Sequence, residues 1–206
     1  MIITPACVLF DLDHTLSDYD HDLRVRVLAE RVGVTPERIE TELFTSGLER
    51  DCDRGLYTTQ AQVDELARRL GVAVTVEDCV IARATSMTPF PEMIELVREL
   101  SGRVTLAILS NNGFLVRDNF AAICPVYADA FAGRFHCSAE FGTLKPDPAT
   151  YVACAQTLGI APERIFFSDD MAANAEGALA ASMQAQQYQD ASKLRAALIE
   201  TGLLPG

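Results

Sequence analysis

Two carboxylates stand two residues apart in Asp11-Leu12-Asp13-His14-Thr15, directly after the apolar run Ala6-Cys7-Val8-Leu9-Phe10. Such a pair can divide labour. One carboxylate can attack an electrophile. The other can trade a proton with the leaving group and the incoming water. Together they can hold a hard cation, which takes oxygen ligands. An ordinary acidic turn has the same composition. Ser110, opening Ser110-Asn111-Asn112-Gly113, offers a hydroxyl and backbone N–H groups to an anion, or is simply part of a turn. Lys145, fixed beside Pro146 in Leu144-Lys145-Pro146-Asp147-Pro148, can neutralise a phosphoryl group, or be a solvated surface lysine. Asp169 and Asp170 are adjacent, and repel each other unless a cation or proton compensates. Helix N-capping is their alternative role.

The elements that must position these groups can be read from the apolar pattern. The run ending at Phe10, the stretch Arg103–Leu109 and the stretch Arg164–Phe167 each terminate in polar, chemically capable residues. Buried parallel strands have this near-continuous apolar character. Open α/β sheets place ligands outside the carboxyl ends of their strands, so the three loops are expected to converge. Met93, Leu96, Val97 and Leu100 follow helical spacing, a helix from Pro148 to Leu158 stops at Gly159, and Leu194, Ala197 and Leu198 mark a last helix. The alternation predicts a Rossmann-like α/β fold, a mostly parallel sheet with helices on both faces.

One segment breaks the alternation. From about Ser17 to Thr88 only helical patterns occur, with Leu23, Val27, Leu28 and Val32 as one stripe and Val63, Leu66, Ala67 and Leu70 as another. Thr35-Pro36-Glu37 reads as a helix start. Residues 17–88 are therefore expected to form a small helical cap inserted after the first strand, with residues 1–16 and 89–206 forming the core domain. Thr88-Pro89-Phe90-Pro91 reads as the exit linker, and the glutamine-rich stretch Met183–Tyr188 as a late strand.

The chain has 206 residues, 49% of them hydrophobic, and a formal charge of −12. That supports one sizeable core with a small satellite. The acidic balance argues against nucleic-acid or anionic-membrane partners. No apolar run reaches bilayer-spanning length. Met1 to Phe10 lacks the basic start of a signal peptide and reads as the first strand, so a soluble cytoplasmic protein is expected, monomeric or homodimeric. The six cysteines are scattered, with no metal-ligand spacing, and read as reduced core thiols.

Taken in order, Asp-x-Asp-x-Thr, then Ser, then Lys, then Asp-Asp, the set resembles the haloacid dehalogenase superfamily. The stretches Phe10–Leu16, Leu109–Asn111, Gly142–Pro148 and Phe166–Asn174 match that family's four motifs across nearly the whole chain. The resemblance implies a Mg²⁺-dependent phosphohydrolase acting on a small phosphorylated metabolite. Asp11 would be the nucleophile that forms an aspartyl-phosphate. Asp13 would be the general acid/base and lend its backbone carbonyl to Mg²⁺. Thr15, Ser110 and Asn111 would bind phosphoryl oxygens, and Lys145 would offset the repulsion between Asp11 and the phosphoryl group. Asp170 would complete the metal site, with Asp169 either a ligand or a support behind it. Many relatives have Gly or Asn where this chain has His14, and histidine tolerates the left-handed backbone such a loop needs.

Specificity would then fall to the helical insertion. Asp18, Tyr19, Asp20 and His21 follow the first motif, and Arg50 and Arg54 lie in Glu49-Arg50-Asp51-Cys52-Asp53-Arg54-Gly55. Tyr19 and Arg54 are candidate substrate contacts, Arg54 through a second anion or sugar hydroxyls. A salt-bridged surface is the plainer role for the arginines. The motif details look like the sugar-phosphate phosphatase branch, including α-glucose-1-phosphate phosphatases. A 2-haloacid dehalogenase, a phosphomutase and a catalytically silent binding protein are the competing functions. Asp13 counts against the dehalogenase, since those enzymes lack the second aspartate of the first motif. The intact acidic and basic set counts against a silent site.

Overall fold

The structure, a computed structural model, describes residues 3–205. Met1 and Ile2, which the sequence reading joined to the first strand, lie outside the described residues. Cys7–Phe10 forms β1, buried along its whole length. It is the central strand of a five-stranded sheet whose other members are β4 (Thr105–Ser110), β5 (Phe135–Cys137), β6 (Ile165–Asp169) and β7 (Gln184–Gln187). The spatial order is β5-β4-β1-β6-β7, and every pairing is parallel. Phe10 lies opposite Ile108 on one side and Ser168 on the other. The carboxyl ends of β4, β1 and β6 therefore open onto one edge, as the expected convergence requires.

Alternate residues of the strands face opposite layers. Val8, Phe10, Leu106, Ile108 and Phe166 join α6 (Pro91–Leu100), α7 (Phe114–Asp118), α8 (Phe120–Ile123) and α11 (Ala191–Glu200) in one apolar cluster. Cys7, Leu9, Ala107, Leu109, Ile165 and Phe167 join α9 (Pro148–Leu158) and α10 (Ala172–Ala180) in the other. Helices thus cover both faces. Asp147 caps the start of α9 through Ala149 N–H, and Gly159 ends it in left-handed conformation, the stop its position suggested.

Two short strands correct the all-helical reading of residues 17–88. β2 (Ser17–Tyr19) and β3 (Met87–Pro89) pair antiparallel, so the chain leaves and re-enters the sheet region through one narrow ribbon. Met87–Pro89 is strand where a linker was expected. Three-residue strands carry too little pattern to be read in advance. Between them lie α1 (His21–Val32), α2 (Pro36–Ile39, continued by a π-helical stretch Glu40–Thr45), α3 (Leu48–Asp53), α4 (Thr59–Leu70) and α5 (Val76–Thr85). Val25, Leu28, Leu43, Val63 and Leu66 from these helices belong to the same apolar cluster as Phe10 and Ile108. No helix among the described residues is long and apolar enough to cross a membrane. All six cysteines are buried and unpaired in disulfides.

The helical insertion rests on the sheet region at a close seam. Gly55 has φ +78°, and a Cβ there would stand 2.2 Å from the Ala139 carbonyl oxygen. Ser138 Oγ donates to the Asp53 carbonyl at 2.7 Å. A Cβ on Gly113 would come within 3.1 Å of Cys52 Cβ. Glycine is needed where two backbones approach this closely.

Candidate active site

The chain leaves β1 at Asp11, whose N–H donates to the Ser168 carbonyl and so keeps the loop registered against β6. Leu12 O then accepts from both Leu16 N and Ser17 N, closing a tight turn over Asp13-His14-Thr15. His14 has φ 58°, the left-handed conformation its position was expected to require. Its ring is exposed and lies 3.2 Å from Asp18. Thr15 is fully buried, and its Oγ1 accepts from Asp170 N–H at 3.1 Å. The first and last motifs are therefore hydrogen-bonded to each other.

Lys145 is the centre of the arrangement. Its Nζ lies 2.8 Å from Asp11 Oδ1 and 2.6 Å from Asp169 Oδ2, and its side chain is 1% exposed. Burial works against the ammonium charge, but Asp11 and Asp169 outweigh it and hold the Lys145 pKa above its usual value. Asn111, the residue after β4, fixes the lysine's backbone: its Nδ2 donates to Lys145 O, and its Oδ1 accepts from Lys145 N, both at 2.9 Å. The Asn111 amide, expected to bind phosphoryl oxygens, is thus spent on holding Lys145. Ser110 is buried, and its Oγ accepts from Asn112 Nδ2 at 2.8 Å.

Asp169 is fully buried and saturated with donors: Lys145 Nζ, Met171 N–H at 2.9 Å, and Asn174 Nδ2 at 2.9 and 3.0 Å to its two oxygens. This arrangement suits a support, not a free ligand. Asp170 is half-buried and points its carboxylate into the cluster that Asp11 and Asp169 share. One ligand atom from each of the three lies within 4.8 Å of the others. A hard-oxygen donor set of this kind can hold a divalent cation such as Mg²⁺. Burial, then Asp169, raises the Asp170 pKa, with His14 pulling the other way. Burial pushes Asp11 up to about 7 against the pull of Lys145. A cation bound here would reverse both trends.

The second carboxylate of the first motif faces a partner the sequence reading did not name. Arg83, at the end of α5, places Nη2 2.6 Å from both Asp13 oxygens and is 1% exposed. Its guanidinium carbon lies 4.2 Å from the centre of the Tyr19 ring. Tyr19, proposed from sequence as a substrate contact, thus forms a floor under Arg83. Arg24 extends the buried charge layer, pairing with Glu49 at 2.7 Å and reaching the Tyr19 hydroxyl at 3.4 Å. Asp53, beside this layer, has a buried Oδ1 without a hydrogen-bond partner. Burial, then Glu49, raises its pKa well above the usual carboxylate value. Arg54, the other specificity candidate, is exposed at the end of α3 next to the Gly55 seam. The structure therefore gathers Asp11, Lys145, Asp169, Asp170 and Thr15 into one cluster, while Arg54 makes no hydrogen bond or ion pair to any of them.

Known proteins share this fold. A family model for haloacid dehalogenase-like hydrolases matches residues 5–182. The chain is 28% identical over 188 residues to Phosphatase MT3486 of Mycobacterium tuberculosis (strain CDC 1551 / Oshkosh), covering 87% of this chain and 85% of that one. It superposes with TM-score 0.74 and 20% identity on the HAD family enzyme bt-2542 of Bacteroides thetaiotaomicron, solved with magnesium and inorganic phosphate, over 92% of this chain and 98% of that one. It also superposes with TM-score 0.61 and 20% identity on the L-2-haloacid dehalogenase of Xanthobacter autotrophicus carrying covalently bound chloropropionic acid, over 98% of this chain and 85% of that one. The parallel sheet, the ordered motifs at its carboxyl edge and the family match over most of the length lead to one assignment: this chain belongs to the haloacid dehalogenase-like hydrolases.

Proposed function

We propose that the protein is a Mg²⁺-dependent phosphomonoester hydrolase that acts on a small phosphorylated metabolite through an aspartyl-phosphate on Asp11. The carrying observation is Lys145 Nζ, shared between Asp11 and Asp169 at the mouth of the sheet. A buried ammonium there orients Asp11 and offsets the charge that builds when a carboxylate approaches a phosphoryl group. The named phosphatase among its relatives and the phosphate-bound structural neighbour support the same reading.

In this reading an Asp11 oxygen attacks phosphorus, and the ester oxygen departs with a proton from Asp13. Asp13 then takes a proton from water as the water attacks the aspartyl-phosphate, releasing inorganic phosphate and restoring Asp11. Asp11, Asp170 and the backbone carbonyl of Asp13 would hold Mg²⁺, whose charge shields the phosphoryl oxygens. Asn111 keeps Lys145 in place, and Asp169, locked by Asn174, keeps the lysine from swinging away. Ser110 and Thr15 line the phosphoryl cradle. Residues 17–88 act as a cap over a core formed by residues 1–16 and 89–206. The cap is where the leaving group is read.

A screen of sugar phosphates, nucleotides and small phosphorylated acids, run with Mg²⁺ and with EDTA, tests this. Release of inorganic phosphate from some esters, abolished by chelation and restored by Mg²⁺, is expected. Halide release from a 2-haloacid in fully chelated enzyme, with no phosphate release, would overturn it.

A further inference from the structure

Arg83 is a buried cation on the helical insertion, yet its ion-pair partner is the second aspartate of the catalytic loop, 70 residues earlier. Its Nη2 straddles both Asp13 oxygens at 2.6 Å, while the Asp13 side chain remains 24% exposed. The arginine has two further anchors. Tyr19 stacks beneath it at 4.2 Å. Ser86 Oγ donates to its carbonyl at 2.8 Å, fixing the last turn of α5 where the chain enters β3. Its Nε is buried and has no hydrogen-bond partner. A guanidinium that serves only stability normally satisfies its donors on a full fork of acceptors. Here one nitrogen carries the whole interaction, and it falls on the residue that must reach the leaving oxygen.

We propose that Arg83 is a positioning residue that aims the Asp13 carboxylate at the leaving oxygen, so that the helical insertion sets the geometry of proton transfer as well as substrate choice. This rests on the phosphohydrolase reading. With Nη2 between the two oxygens, a small rotation of Asp13 keeps its unprotonated oxygen on Arg83 and presents the protonated one to the ester. The anchors come from both ends of the insertion, Tyr19 in β2 and Ser86 at the end of α5, so Asp13 is aimed only while the insertion is seated. Arg83 touches neither Lys145 nor the Asp169–Asn174 lock, so attack by Asp11 does not pass through it.

The two halves of the reaction separate by leaving group. An alkyl phosphate needs its departing oxygen protonated, whereas p-nitrophenolate departs unaided. Arg83→Met should lower kcat/KM on an alkyl monoester by about 10²-fold, within the range that a placed proton donor supplies. On p-nitrophenyl phosphate the loss in kcat/KM should stay below about threefold, because kcat/KM ends at formation of the aspartyl-phosphate and leaves out the later water step, in which Asp13 also acts. Arg83→Lys should recover part of the alkyl loss. In an Asp13→Asn background, Arg83→Lys should cost nothing more on the alkyl ester. Equal losses in kcat/KM on both esters, a higher kcat/KM on either, or a further loss in the Asp13→Asn background would overturn the proposal. Should Arg83→Met fail to fold, the Arg83→Lys ratio between the two esters decides in the same way. Wild-type turnover of both esters is the control. Its absence would defeat the phosphohydrolase reading and this inference with it, whereas turnover with uniform loss defeats only the inference.

Discussion

Lys145 Nζ lies 2.6 Å from Asp169 Oδ2, and both side chains are almost wholly buried. The same nitrogen reaches Asp11 at 2.8 Å, so one cation ties the carboxyl end of β1 to that of β6. A buried charge whose partner is removed costs far more than the pair contributes.

Lys145→Ala should therefore act on stability and on every substrate together. It leaves Asp11 and Asp169 facing each other without a cation, a loss of about 3–5 kcal/mol in metal-free protein above neutral pH. Its effect on kcat/KM should be uniform across esters, because all share the phosphoryl group. Denaturant melts and kinetics on three unlike esters check both parts. A change in selectivity without a general loss would remove Lys145 from the phosphoryl site.

Metal binding should depend on pH with a definite sign. Burial raises the Asp11 pKa to about 7 in the metal-free fold, above its unfolded value. Between those two values the fold holds a proton that the unfolded chain has released. That contribution to stability is present at low pH and is lost as pH rises through about 7. Mg²⁺ needs the carboxylate, so its affinity should increase with pH up to about 7 and then level off. Titration calorimetry at about pH 6 and about pH 8 would show this, with the tighter binding at the higher pH. Equal affinities would mean that Asp11 is not a ligand.

The motif residues were legible because their chemistry restricts their type, and the order of the strands sets their order in the sequence. Asp11, Lys145, Asp169 and Asp170 occupy the expected loop positions. Other features have no local signal. Arg83 looks like any helical arginine in Ile81-Ala82-Arg83-Ala84, and only the ribbon of β2 and β3 brings it to Asp13. Asn111 read as a phosphate ligand because its loop does face the site, but its amide is taken by Lys145. β5 has only Phe-His-Cys to announce it. The glutamine-rich stretch tolerates its polarity because β7 is a half-exposed edge strand.

Gly177→Ala tests whether packing behind the lysine matters. A Cβ there would stand 2.2 Å from the Pro146 carbonyl oxygen and 3.0 Å from the Tyr151 ring. α10 would have to move away from the turn that carries Lys145. A loss of about 1–3 kcal/mol is expected, together with reduced kcat, although Gly177 belongs to none of the charged clusters. Thermal melts and kinetics on one ester suffice. Wild-type values in both would show that this turn can shift without disturbing Lys145.

The central claim is that Asp11 itself attacks the phosphoryl group. The most direct measurement is the turnover of Asp11→Asn on p-nitrophenyl phosphate with saturating Mg²⁺, because this ester needs no proton donor and isolates the nucleophile. The amide is nearly isosteric, so cooperative unfolding should persist. The predicted loss in kcat is about 10⁴-fold or more, the scale seen when a nucleophile is removed. A folded Asp11→Asn variant that turned over this ester at a rate near wild type would contradict the account.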